Sequence, residues 1–213
     1  IIQQNLSKGL NASGDCNIDV NCPLGTGWDN EIRSVAMIVV GGSGICTGAL
    51  INNSCSDGTP YFLTANHCLG GSTGSWAFRF NWQSPPGTES CATTAGSTDP
   101  GPPYDQTANG ATTLVNSGAS DYALLEIDNM SLSDAQNWNC YFAGWDASDL
   151  TTVTEATGIH HPSGDVKKIC RENDAPFHSN AGGAAVWYIN QWEEGVTEPG
   201  SSGSPLFDQN HRI

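Results

Sequence analysis

Apolar and β-branched residues in this chain come in short runs broken by Gly, Asn, Asp and Pro, and few recur at helical spacing. Runs at residues 33–40, 46–51, 61–64, 75–82, 112–115, 122–127, 141–145, 154–159, 166–170, 184–191 and 205–207 predict strands. Within 75–82, Trp76, Phe78, Phe80 and Trp82 alternate, which puts four rings on one face. Barrel core is the default reading of that face, and a substrate shelf the other. Only residues 134–138 suggest a turn of helix. Many short strands with regular turn signals predict an all-β sandwich or barrel. Residues 84–110, rich in Pro, Gly, Ser and Thr, read as a long surface loop, and 129–139 as a connector. A division therefore falls near residue 130, with about six strands before it. No repeat at a fixed period is visible, which disfavours a solenoid or propeller.

Composition narrows the function classes. The 213 residues suit one large domain or two small ones. Seven Lys+Arg against 22 Asp+Glu give a net charge of −15. That charge argues against sequence-independent nucleic-acid binding, which needs cations to displace phosphate counterions, and against docking on anionic lipid. It favours a monomer in solution and biases the surface toward cationic substrates, although a solvated surface is the simpler reading. The longest apolar run, residues 35–40, is too short to span a bilayer. Ile1-Ile2-Gln3-Gln4 lacks the basic start and apolar stretch of a signal peptide, so none is expected to remain. Eight Cys without any C-x-x-C pair point to disulfides rather than zinc knuckles, and so to a secreted, extracellular protein.

Three segments carry candidate chemistry. Leu63-Thr64-Ala65-Asn66-His67-Cys68 is a strand running into a turn that presents a His. Ser120-Asp121-Tyr122-Ala123-Leu124-Leu125 brings an Asp into an apolar strand. Pro199-Gly200-Ser201-Ser202-Gly203-Ser204-Pro205 sets a Ser among glycines before a strand. Each has an ordinary structural reading by itself. Together they supply a hydroxyl nucleophile, a base to take its proton, and an acid to fix the tautomer of that base. The glycines let backbone N–H groups turn toward one point, where an oxyanion would form.

With those segments, the chain resembles the chymotrypsin-fold serine peptidases, and within them the bacterial lysyl endopeptidase-like branch. The resemblance runs from about Ser13 onward. It rests on Ser13-Gly14-Asp15-Cys16-Asn17-Ile18-Asp19-Val20, Cys46-Thr47-Gly48-Ala49-Leu50-Ile51-Asn52-Asn53, residues 61–68, Ala143-Gly144-Trp145-Asp146, Ile159-His160-His161-Pro162 and Gly195-Val196-Thr197-Glu198 through Pro205. It implies a peptidase acting on peptide or protein substrates, without a cofactor. His67 is the implied base, Asp121 its orienting acid and Ser202 the nucleophile, with the N–H groups of Gly200 and Ser202 as oxyanion hole. The implied fold is two antiparallel six-stranded β-barrels with the site between them. Residues 1–12 would be a residual pro-segment or arm, 13–128 the first barrel and 129–213 the second. The resemblance pairs Cys46 with Cys68 and Cys22 with Cys91. In the implied second barrel Cys140 and Cys170 would flank neighbouring strands, so a cross-strand bridge is expected there. Cys16 and Cys55 are left without partners in this chain.

The sequence also departs from the family pattern. It ends eleven residues after Ser202, so the second barrel is expected to be truncated at its C-terminal end, its pocket half open and activity weak or absent. Where a trypsin-like enzyme carries its selecting Asp, this chain has Val196. The selecting acid of the lysyl branch would fall past Ile213. Thr197 is expected to line the pocket and Glu198 to lie near its mouth. Lys8, just ahead of Ser13, fits self-processing by a Lys-cleaving enzyme and equally an ordinary linker Lys. Ser201 stands where an activation Asp would receive a new N-terminus, so that trigger is not expected. A non-catalytic binding module and a different preference at the cleaved bond remain alternatives. No metal is expected: His160 and His161 are adjacent on a strand and point apart, and the carboxylates near Asp146 and Asp149 form no calcium loop. Asn11, Asn52 and Asn129 sit in glycosylation sequons, which carry no meaning if the source is bacterial, as the resemblance implies.

Overall fold

The structure is a computed structural model, and it describes residues 13–41, 44–84, 105–148 and 151–213. It is mostly β, with two short α-helices among the described residues. Strands β2 (Val35–Val40), β3 (Gly44–Leu50), β4 (Tyr61–Thr64), β5 (Ala77–Phe80), β6 (Thr107–Asn109), β7 (Ala111–Ser117) and β8 (Tyr122–Ile127) form one antiparallel sheet. Its order is β6-β5-β2-β3-β4-β8-β7. The two edge strands are consecutive and separated only by Gly110, at φ +76°. The sheet therefore curls into a half-barrel. It has seven strands where six were expected, because Gly110 divides β6 from β7. The surface loop expected over 84–110 is shorter at its end, because Thr107–Asn109 pairs with β5.

Period-two alternation builds the core. In β4 and β5 alternate residues are buried, which turns Phe62, Phe78 and Phe80 inward. Phe62 meets Phe78 edge-on, with ring centroids 5.0 Å apart, and Phe80 at 6.4 Å. Gly48 permits this: a Cβ there would lie 2.2 Å from the Phe62 ring. Trp76 joins the same cluster, but Trp82 does not. Asn81 adopts φ +51°, and that left-handed step turns Trp82 away to pack with Met37 and Val166. All four rings are buried, so they are core and not a substrate shelf.

The second half is smaller. Strands β1 (Ile18–Asp19), β10 (Lys168–Glu172), β9 (Ala156–His160) and β13 (Leu206–Phe207) form a four-stranded sheet in that order. β11 (Phe177–Ala181) and β12 (Ala184–Tyr188) form a separate hairpin. Among the described residues this is not a six-stranded barrel. Residues 141–145 make only single bridges, Ile51 to Ala143 and Gly144 to Arg212, where a strand was expected. Residues 18–19, grouped with the first unit on sequence, pair with β10 instead. Helix α1 (Asp29–Ser34) replaces the start of the strand expected at 33. Helix α2 (Leu132–Asn137) starts earlier than the turn expected at 134–138, because Ser131 and Asp134 form a reciprocal capping box. Trp28, Ile32, Val35, Ile159, Ile169 and Phe207 share one cluster that joins the two halves. Among the described residues no helix is long and apolar enough to cross a membrane.

Phe62→Ala should remove the ring around which the first core packs, at a cost of about 3–5 kcal/mol. Urea unfolding should show the midpoint falling with the slope unchanged; a shift of a few tenths of that cost would count against the packing described.

Candidate active site

His67 follows β4 in a single 3₁₀ turn, Asn66–Cys68. The next residue, Cys68, forms a disulfide to Cys46 of β3, so the turn is tied across to a neighbouring strand. Asp121 stands between β7 and β8 in a left-handed conformation, φ +53°, which Asp tolerates better than most residues. There its carbonyl accepts from the Asn66 N–H at 3.1 Å. Its Oδ1 accepts from the backbone N–H of His67 at 2.8 Å, and its Oδ2 lies 2.6 Å from the ring Nδ1. One carboxylate thus fixes both the backbone and the ring. A proton on Nδ1 faces the carboxylate and leaves Nε2 as an acceptor. The His67 and Asp121 side chains keep 55% and 50% of their surface exposed.

Ser202 comes from the other half, in a tight turn. The Ser201 N–H donates to the Glu198 carbonyl at 3.0 Å, and the Ser204 N–H to the Ser201 carbonyl at 3.0 Å. Gly200 and Gly203 have φ of +100° and +81°. A Cβ on Gly203 would lie 2.2 Å from Thr64 Oγ1 and 2.4 Å from the Thr47 carbonyl oxygen, and one on Gly200 2.8 Å from the His161 carbonyl oxygen. Both glycines are demanded by conformation and by close approach. Among the described residues nothing accepts from the N–H of Gly200 or of Ser202.

Thr47, fully buried on β3, fastens this turn to the first sheet. Its N–H donates to the Ser202 carbonyl at 2.8 Å, and its hydroxyl donates to the Gly200 carbonyl at 2.9 Å. The same hydroxyl accepts the His161 N–H at 3.1 Å, and its carbonyl accepts the Thr64 hydroxyl at 2.7 Å. Cys68 Sγ lies 3.8 Å from the Ser202 carbonyl oxygen. The turn bearing His67 and the turn bearing Ser202 therefore meet at residues 46 and 47. Sequence reasoning assigned Thr47 no role. Its only signal was a hydroxyl beside a bridging Cys.

The remaining candidates fall into place around these turns. Thr197 is exposed. The Glu198 carboxylate is turned to the segment before β1, where it accepts from the Gly14 N–H at 2.8 Å and Asn17 Nδ2 at 2.9 Å. His160 and His161 bond different partners, Ser201 Oγ at 2.8 Å and the Asp165 carbonyl at 3.0 Å. Burial pushes His160 down to about 3, and Lys168 adds to the effect; burial, with Lys167 beside it, also holds His161 well below the ordinary histidine value. Asp146 is engaged by Ser148, Thr151 and Arg212, and Asp149 lies outside the described residues. Glu172, Asp174 and Glu193 place carboxylate oxygens within 4.8 Å of one another.

The cysteines agree with the sequence reading only in part. Cys46–Cys68 is formed. Cys91 lies outside the described residues, so its pairing with Cys22 does too. Cys140 and Cys170 are separate thiols, contrary to expectation. Residues 141–145 are not a strand beside β10, whose neighbours are β9 and β1, so the cross-strand geometry does not arise. Cys140 packs against the first core and Cys170 Sγ lies 3.6 Å from the Gly158 carbonyl oxygen. Burial raises both thiols, Cys140 to about 12. Cys16 and Cys55 are exposed thiols.

Comparison with known proteins gives a consistent outline. The sequence model of the family described as "Lysyl endopeptidase, C-terminal domain" matches residues 10–213. The lysyl endopeptidase of Pseudomonas aeruginosa is 30% identical over 214 residues, an alignment covering 93% of this chain and 43% of that protein. The chain thus spans less than half the length of that curated relative. Among solved structures, the HtrA-type protease AlgW with tripeptide superimposes with a TM-score of 0.56 at 15% identity, over 90% of this chain and 52% of that one. Deg5 gives 0.55 at 13% identity, over 87% and 79%. An inactive form of Rv3671c from M. tuberculosis H37Rv gives 0.51 at 15% identity, over 91% and 77%. At such identities the structural likeness speaks to the fold.

Thr47→Val keeps the shape but leaves the Gly200 carbonyl and the His161 N–H unpaired in a buried place. Each loss should cost about 1–3 kcal/mol of stability, read by thermal or urea unfolding. A neutral result would mean that the hydroxyl does not hold the turn. Acid should act through His160. Its native value lies below the unfolded one, so the unfolded chain takes up the proton first as pH falls. The stability it contributes is complete above about pH 6.5 and is lost toward about pH 3. His160→Gln should therefore flatten the fall in stability between pH 6.5 and 4 by at most about 1.4 kcal/mol per pH unit, the value of one proton. Parallel curves for the two proteins would refute it.

Proposed function

The chain belongs to the lysyl endopeptidase family, and from that membership and the geometry around His67 we propose that it is a secreted serine endopeptidase working through an acyl-enzyme. The observation that carries the proposal is the Asp121 carboxylate, which bonds both the ring and the backbone of His67 while the Ser202 turn is fastened beside Cys68. In this reading His67 Nε2 takes the proton of the Ser202 hydroxyl as its oxygen attacks the substrate carbonyl carbon. Asp121 stabilises the imidazolium that forms. The carbonyl oxygen becomes an oxyanion that accepts from the N–H groups of Gly200 and Ser202. The imidazolium then gives its proton to the departing amine, and the C–N bond breaks. Water repeats the sequence on the acyl-enzyme: His67 takes its proton, and Ser202 leaves with that proton restored.

Selection of Lys before the cleaved bond is carried by family membership, since Val196 offers no acid and both Glu198 oxygens are engaged elsewhere. Thr197 is the pocket-lining residue in this reading. The Cys46–Cys68 bridge and the family membership support a location outside the cytoplasm.

A fluorophosphonate probe should label wild-type protein at Ser202, and Ser202→Ala should abolish labelling while leaving the melting transition in place. Among peptide esters alike except for that residue, Lys should be hydrolysed faster than Arg or Leu. Folded wild type that takes no probe would favour a binding module without catalysis, and equal rates on the three esters would remove the Lys preference alone.

A further inference from the structure

We propose that Glu198 is a positioning residue that couples docking of the segment at residues 13–17 to the shape of the oxyanion turn. The inference rests on the peptidase reading above, and adds to it a means of regulating the same site. Glu198 belongs to the turn through its backbone. Its carbonyl accepts the Ser201 N–H at 3.0 Å, and its N–H donates to Ser201 Oγ at 3.2 Å. That hydroxyl also meets the buried His160 Nδ1 at 2.8 Å. The loop between Glu198 and Ser201 contains Gly200, whose N–H is an oxyanion donor in the reading above.

The side chain of Glu198 leaves the turn and reaches the N-terminal segment. Oε1 accepts from both the Gly14 N–H at 2.8 Å and Asn17 Nδ2 at 2.9 Å. Oε2 accepts from Ser163 Oγ at 3.3 Å, and the Ser163 N–H returns to the turn at the Pro199 carbonyl, 2.7 Å away. The segment is itself fixed: the Asn17 N–H donates to the Gly14 carbonyl at 3.1 Å and the Ser13 hydroxyl to Asp165 at 2.5 Å. The fit is tight, because a Cβ on Gly14 would lie 2.7 Å from Glu198 Oε1. A half-buried carboxylate holds strongly to such charge-assisted donors. Without the segment it would lose two of them and turn to water, taking residues 198–201 along and moving the Gly200 N–H off its target. Ser201 cannot hold a carboxylate next to the nucleophile; Glu198 provides one three residues earlier and takes an internal amide. The device therefore needs no free amino terminus.

Gly14→Ala and Asn17→Ala test this in the full chain. Both should lower kcat about tenfold or more while KM stays within about twofold, because oxyanion donors act on the transition state. Amide exchange read by mass spectrometry should accelerate in residues 198–204 of both variants. Lower melting temperature with unchanged kcat and unchanged exchange would overturn the coupling, since a merely structural segment behaves that way. If wild type takes no fluorophosphonate, the peptidase reading fails; the exchange comparison still decides the coupling, faster exchange upholding it and unchanged exchange overturning it. Asn17→Ala keeps the test open should Gly14→Ala not fold.

Discussion

Everything near the candidate site depends on how Thr47 meets the second half of the molecule. Its amide, hydroxyl and carbonyl make four hydrogen bonds, two of them to the turn that bears Ser202 and one to His161. The residue has no solvent contact, so water cannot stand in for any of these partners. Its neighbour Cys46 carries the bridge to the His67 turn. Two consecutive residues on one strand thus set the separation of elements drawn from opposite halves of the chain. Gly48 extends the arrangement inward by leaving room for Phe62. Packing of the first core and placement of the Ser202 turn are therefore mechanically linked through β3.

The first sheet was legible in the chain because half-buried strands write their burial at period two. The alternation of Phe78 and Phe80 in β5 is an example. It failed where one residue changed the backbone region: Asn81, left-handed, redirected Trp82 from the core to the seam. It failed again at residues 141–145, whose apolar composition reflects packing and single bridges rather than a ladder. Helix α1 is too short to show a period, and its residues are buried for tertiary reasons. His67, Asp121 and Ser202 could be picked out as candidates because turn chemistry and glycines surround them. Thr47 and the partners of Glu198 could not, because a bond to a backbone carbonyl or amide leaves no pattern in sequence.

Charge inside the seam follows the same logic of matched partners. Lys168 is almost wholly buried, yet it meets Asp19 directly and Asp165 at 3.6 Å. Asp19 also accepts from the Ser84 hydroxyl at 3.0 Å, and Asp165 from Ser13. Removing Lys168 would leave two buried carboxylates without their shared cation, which is costlier than replacing the whole set by apolar groups. The set ties together the segment before β1, the strand β10 and the residues just after β5.

His67 and Asp121 sit apart from that dry seam, with about half of each side chain in solvent. Water and salt weaken the attraction between such groups, so the free protein keeps this pair in a medium where charge separation gains little from its surroundings. A chain laid across the pair would expel that water and lower the local dielectric. The visitor would then be part of the reaction medium as well as the reactant, and the electrostatic strength of the site would be a property of the complex rather than of the protein.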